Sequence, residues 1–203
     1  MSDSFILPLY PLDGVVLLPT LRVEIHPLGP MAERVLRRAE RHQNLVVASF
    51  FEDDSVHEIG VKARVISSEE GEGPRFFEGV GRCRLRQLLP DEVPVVLAED
   101  FPDAPVPVHQ ADPLRRLLLR RFLKLSARLQ RPPRPELKAI NLEALTWRLT
   151  AELNLDLSQQ QGLLNVPDAL TRGKILLLAL RDVERRERLL RPYAHLRQNG
   201  QWN

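Results

Sequence analysis

The sequence predicts an α+β fold in two parts: a small, highly curved sheet or partly open barrel with one inserted helix over residues 1–108, then an α-helical bundle over residues 109–203. Three observations carry this expectation. Short apolar runs with period-2 alternation fill the first half, the mark of half-buried strands. Leucine stripes at helical spacing fill the second. The charge also divides: residues 1–110 hold 11 Lys and Arg against 18 Asp and Glu, a net of −7, whereas residues 111–203 hold 18 against 9, a net of +9.

The elements follow in order. Leu7 to Pro19 is apolar nearly throughout but carries three prolines and an Asp13-Gly14 turn, so it reads as short strand, turn, short strand. Alternation continues through Leu21, Val23 and Ile25. Met31, Val35, Leu36 and Ala39 make one face of a helix over 30–43, and Leu45 to Phe51 is a buried strand ending in the acidic loop Glu52-Asp53-Asp54. Ile59 to Ile66 alternates cleanly, with apolar residues at odd positions. Ser67 to Pro74 connects it to a long extended segment, Phe76 to Leu88, where Gly79 and Gly81 mark a bulge or bend. Pro94 to Ala98 is the last strand. Beyond the Pro-rich 101–107, Asp112-Pro113 reads as an N-cap and first helical residue ahead of Leu114, Leu117, Leu118, Phe122, Leu125 and Leu129. Residues 131–135 form a stiff turn. Asn141 caps a helix with Leu142, Leu145, Leu149 and Leu153 on one side, Ser158 to Gln161 matches a capping box, and Pro167-Asp168 opens a last helix running to about Leu190, stopped by Pro192. Three long helices and one short one are therefore expected to pack as antiparallel neighbours.

Composition removes several classes of function. At 43% hydrophobic and 28% charged residues the chain reads as soluble and globular. No apolar run approaches the roughly 20 residues a membrane helix needs. Met1-Ser-Asp-Ser lacks the form of a signal peptide, so a cytoplasmic location is expected, and the ending Arg197 to Asn203 reads as a natural tail of a complete protein. The single Cys83 excludes an internal disulfide and multi-cysteine zinc sites, and the five His at 26, 42, 57, 109 and 195 never fall at i, i+4. No metal or other cofactor is expected.

Nor does a catalytic group emerge. Gly173-Lys174 resembles the end of a phosphate loop, but position 168 is Asp instead of Gly and Ile175 replaces the hydroxyl, so a helical glycine against a close neighbour is the reading. Cys83 lies between Arg82 and Arg84, yet adjacent strand residues face opposite sides, so it points away from both arginines and reads as a buried structural thiol. No serine sits in a Gly-x-Ser-x-Gly elbow. Acidic pairs such as Asp53-Asp54 keep loops solvated.

What remains is surface. A stretch that turns twice cannot bury every face, so the opening segment should leave an apolar patch of the kind that binds other proteins. Pro11, Leu12, Val15 and Leu18, with Met31 from the adjacent helix, are the candidate partner-binding residues. The structural alternative is that the helical half covers them.

The pattern Pro8-Leu9-x-Pro11-Leu12-x-x-x-Val16-Leu17-x-Pro19, then Ile59-Gly60-Val61-x-Ala63-x-Val65, then Glu78-Gly79-x-Gly81-Arg82-x-Arg84-Leu85, resembles the N-terminal substrate-binding domain of the ATP-dependent Lon proteases. Leu145-x-Trp147, Ala151-Glu152-Leu153, Gln161 and Leu164 extend the resemblance into the helical half. It implies a PUA-like barrel joined to a helical bundle, and recognition of exposed apolar segments in unfolded or damaged proteins, or of a protease or other partner protein. It does not imply proteolysis, because no phosphate loop is present; a non-enzyme is expected. Thr20, where the family often has Gly, and Leu28-Gly29-Pro30 depart from the pattern beside the candidate face. Because PUA-like barrels also serve RNA, nucleic-acid binding through the basic half is the alternative, though not the expected partner.

Overall fold

The computed structural model describes residues 4–66, 74–129 and 135–190. The expected connection over 67–73, the turn at 131–134, the Pro192 stop and both chain ends lie outside the described residues.

Strand β1 (Ser4–Asp13) is a single strand that carries both Pro8 and Pro11. It tolerates them because it changes neighbours midway. Ser4 to Pro8 pair antiparallel with β7 (Val95–Asp100), and Leu9 to Asp13 pair parallel with β3 (Leu45–Glu52). Each proline therefore sits where only one side is laddered, the edge-like position in which a missing N–H is tolerated. The second short strand expected before Pro19 does not form. After Gly14 (φ +69) the chain runs irregularly to β2 (Arg22–Ile25). The sheet order β1-β7-β6-β5-β3, in which β6 is Arg75–Leu89 and β5 is Ile59–Ile66, with β1 returning to β3, closes the curved sheet on itself; β4 (Ser55–Val56) and β2 are appended to β3 and β6.

Strand β5 (Ile59–Ile66) buries its odd-numbered residues as the alternation requires. Its partner β6 (Arg75–Leu89) is bulged: Lys62 opposes Gly81 and Ala63 opposes Gly79, leaving Val80 as the extra residue. Gly79 is there for close approach. A Cβ at this position would fall inside 3.0 Å of the Leu18 carbonyl oxygen and within 3.2 Å of Pro19 Cα. The backbones join through Thr20 N–H to Gly79 O (2.8 Å) and Gly79 N–H to Leu21 O (2.9 Å). Helix α1 (Gly29–Glu40) lies between β2 and β3 in sequence, with Pro30 in its first turn and Val35, Leu36 and Ala39 buried.

By packing, the described residues up to Ala104 and Leu155–Pro167 form one unit, and those of 105–154 and 168–190 the other. The short helix α4 (Leu157–Asn165) is thus part of the sheet unit rather than of the bundle. Arg82 explains its place. The guanidinium, with 2% of its side chain exposed, donates to the carbonyls of Leu164 (2.8 Å) and Val166 (2.5 Å) at the C-terminal end of α4, and to Asp103 (2.5 Å). Those orphaned carbonyls want a cation. Gln161 also donates to the Ile59 carbonyl of β5 (2.9 Å). The capping residue of α4 is Asp156, paired reciprocally with Gln159, two residues before the expected start.

In the second unit, α2 (Val108–Arg128), α3 (Leu142–Glu152) and α5 (Ala169–Leu190) pack on one another. Helix α2 begins before Asp112, so Pro113 lies inside it rather than at its first position. A single 3-10 turn, Pro135–Lys138, precedes α3. Asn141 caps α3 by accepting from Ala144 N–H (2.8 Å), and Asp168 accepts from Thr171 N–H (2.8 Å) at the start of α5. Gly173 meets α2 closely: a Cβ would lie 2.8 Å from Leu114 Cδ2.

Candidate functional site

Where β1 ends, the chain leaves the sheet at Asp13-Gly14, crosses to β2, and turns through Leu28-Gly29-Pro30 into α1. These three pieces enclose an apolar groove of about 380 Å³. Tyr10, Pro11, Leu12 and Asp13 come from β1; Val15 from the connection; Glu24, Ile25 and His26 from the β2 end; Leu28, Met31, Ala32 and Val35 from the approach to α1 and its first turns. The floor is rigid. Tyr10 packs edge-on against Phe77 with ring centroids 4.9 Å apart, and its phenol is held above the ordinary tyrosine range by burial first and by the Glu33 carboxylate second.

The groove gathers Pro11, Leu12, Val15 and Met31 of the five residues proposed from the sequence; Leu18 is not among its walls. Pro11 is exposed, Val15 is half-buried and Met31 is 43% exposed. Leu12 and Leu18 correct the expectation of exposure, each being only 2% accessible. Leu12 is laddered to β3 opposite Phe50 within the sheet, and for Leu18 the physical reason is Gly79. Because the bulged strand carries no side chain there, the Leu18 to Leu21 turn lies flat on β6, its polar groups find partners on the same backbone, and the segment buries faces that a free turn would leave wet. Leu12 contributes only to the floor.

Leu28 was not among the sequence candidates, and it is the most exposed apolar side chain of the groove at 87%. It stands at the N-cap of α1 with extended backbone (φ −106°, ψ 109°) and makes no capping bond. The signal was present in the sequence: an apolar residue where a helix start ordinarily places Ser, Thr, Asp or Asn.

A second, smaller groove of about 140 Å³ is lined by Arg34, Arg37, Arg38 and Arg41 on the other side of α1, with Asp91, Glu92 and Val93. Arg38 donates to Asp91 (2.9 Å). Cys83 lies with Leu7, Leu9, Val47, Val96 and Ala98 in the barrel core, and burial pushes its thiol up to about 12 despite the lowering influence of Lys62. Among the described residues, no group of three or more His, Cys, Asp or Glu is placed to hold a metal ion, and no helix is long and apolar enough to cross a membrane.

Residues 6–182 match the family model of the ATP-dependent protease La (LON) substrate-binding domain. The chain is similar in fold to the N-terminal domain of the Mycobacterium avium complex Lon protease, at a TM-score of 0.74 and 17% identity, covering 88% of this chain and 99% of that one. It is similar as well to the Lon N-terminal domain protein from Xanthomonas campestris, at a TM-score of 0.62 and 21% identity, over 86% of this chain and 98% of that one. No match was found among curated proteins.

Proposed function

The chain belongs to the substrate-binding domain family of the ATP-dependent protease La (Lon), and from that premise we propose that it is a non-catalytic recognition module that takes exposed apolar segments of other polypeptides into the groove between β1, β2 and α1. The observation that carries the reading is the groove itself: Leu28 and Met31 stand exposed above a floor of Leu12, Tyr10 and Ile25 fixed in the sheet. An unfolded segment presents apolar side chains that gain from leaving water, about 1.5–3 kcal/mol for each one fully buried, before ordering costs. A preformed wall lowers the ordering cost on the protein's side. The chemistry is shallow and sequence-tolerant, which suits a module that meets many clients weakly.

RNA binding through the basic half is not favoured. The arginines of that unit are partly committed: Arg121 pairs with Glu184 (3.5 Å), Arg115 donates to the carbonyls of Lys138 and Ile140, and Arg172 is buried against Trp147 with its guanidinium carbon 3.5 Å from the ring centroid.

The test is binding of a labelled, permanently unfolded model protein to the wild type and to Leu28→Ser/Met31→Ser. Both side chains are accessible, so the melting transition should be kept while affinity falls roughly tenfold or more, the equivalent of about 1.4 kcal/mol per factor of ten. Unchanged affinity would remove the groove from the reading. Substituting Leu12 or Leu18 would instead disturb the core and report on folding.

A further inference from the structure

The apolar groove carries two carboxylates on its rim. Asp13 and Glu24 line it, Glu33 acts on its Tyr10, and neither lysine nor arginine appears among its walls. The arginines of α1 line a different groove; Arg22 of β2, exposed and outside the walls, sits 4.0 Å from the ring centroid of Phe76, the residue opposite Glu24. His26 sits at the lip with Nε2 3.3 Å from a Glu24 oxygen, which leaves Glu24 its other oxygen for an incoming donor.

We propose that the groove's preferred occupant is an extended polypeptide segment whose apolar residues are flanked by lysine or arginine, with Asp13 and Glu24 selecting the flanks. This rests on the protein-recognition reading above and narrows it. Apolar burial is indifferent to what flanks the buried side chain, whereas a carboxylate rim is not: basic flanks gain two exposed ion pairs and acidic flanks meet like charge. Exposed pairs are individually weak and screened by salt, so the rim sorts clients more than it holds them.

Three peptides with one shared Leu- and Phe-rich centre, flanked by Lys, Gln or Glu, would be titrated by fluorescence anisotropy against the full chain at low and high sodium chloride. The expected order at low salt is Lys, then Gln, then Glu, with about a tenfold span between the extremes, collapsing to about threefold or less at high salt. In Asp13→Asn/Glu24→Gln, whose altered side chains are exposed, the three affinities should converge at low salt while the Gln peptide stays as it was. Equal binding of all three by the wild type, or preference for Glu flanks, overturns the inference and leaves apolar capture standing. Failure of every peptide to bind, with Leu28→Ser/Met31→Ser also indifferent to the unfolded protein, overturns both. A chain that sediments as a dimer and becomes monomeric on Met31→Glu would assign the groove to a second copy and likewise overturn the inference.

Discussion

Gly79→Ala should be the most damaging single methyl in the sheet unit. The added Cβ would lie inside 3.0 Å of the Leu18 carbonyl oxygen, with Leu18 C at 3.1 Å and Pro19 Cα at 3.2 Å; all three are backbone atoms that no rotamer change can move. Relief requires lifting the Leu18 to Leu21 turn off β6, which stretches the two hydrogen bonds that hold it, Thr20 N–H to Gly79 O and Gly79 N–H to Leu21 O. Overpacking costs about 1–3 kcal/mol, and each weakened bond up to about 0.5–1.5 kcal/mol. The expected loss is therefore roughly 2–6 kcal/mol, a large part of the roughly 5–15 kcal/mol typical of a folded domain. Gly81 is the control: a Cβ there meets nothing within 4 Å and its φ is not positive, so Gly81→Ala should stay within about 1 kcal/mol of wild type and even gain slightly from a stiffer unfolded chain. Thermal and urea melts followed by far-ultraviolet circular dichroism give the comparison, with a difference in midpoint of roughly 5–15 °C expected between the two variants. If both alanines shift the melt equally, the close approach at Gly79 is not what glycine is there for. The same lift would drag the connection that runs from Val15 to β2, so peptide binding should weaken alongside stability.

Two further outcomes follow from buried groups of the same unit. Arg82→Met should cost about 3–5 kcal/mol in urea unfolding, because it leaves the nearly buried Asp103 carboxylate and the α4 carbonyls without their cation; a loss below about 1 kcal/mol would show that water satisfies them as well as the guanidinium does. The native Cys83 thiol should resist alkylation at pH 8 and react at once in denaturant, since burial lifts it to about 12 from the ordinary 9.0. The accompanying stability effect has a definite sign. Between about pH 9 and pH 12 the folded state keeps the proton that the unfolded state has released, so stability falls as pH rises through that window. Rapid labelling of the folded protein at pH 8 would refute the burial.

Local pattern was enough for much of the architecture. The alternation of Ile59 to Ile66, the apolar run of β3, the Asn141 cap and the leucine stripes of α2, α3 and α5 are nearest-neighbour features, and they appear in the structure as the sequence implied. The Gly79-Gly81 bulge was legible too, although its purpose was not. Where reading failed, long-range partners had intervened. Pro8 and Pro11 looked like strand breakers until β1 was found to exchange β7 for β3 between them. Leu12 and Leu18 looked too many for one turn to bury until β3 laddered the first and β6 supplied a glycine and two backbone partners for the turn at the second.

Element types, the sheet-then-helix order, the family likeness and the apolar character of the entry segment were therefore legible along the chain, because each depends on residues a few positions apart. Long-range packing settled which of those apolar residues remain reachable, that α4 is tied to the sheet by Arg82, and that Leu28 and Met31 overhang a groove with two carboxylates on its rim. Burial and the pairing of a charged group are properties of what arrives from the far end of the chain. A pattern along the chain records the surface each element offers, but not the partner that covers it.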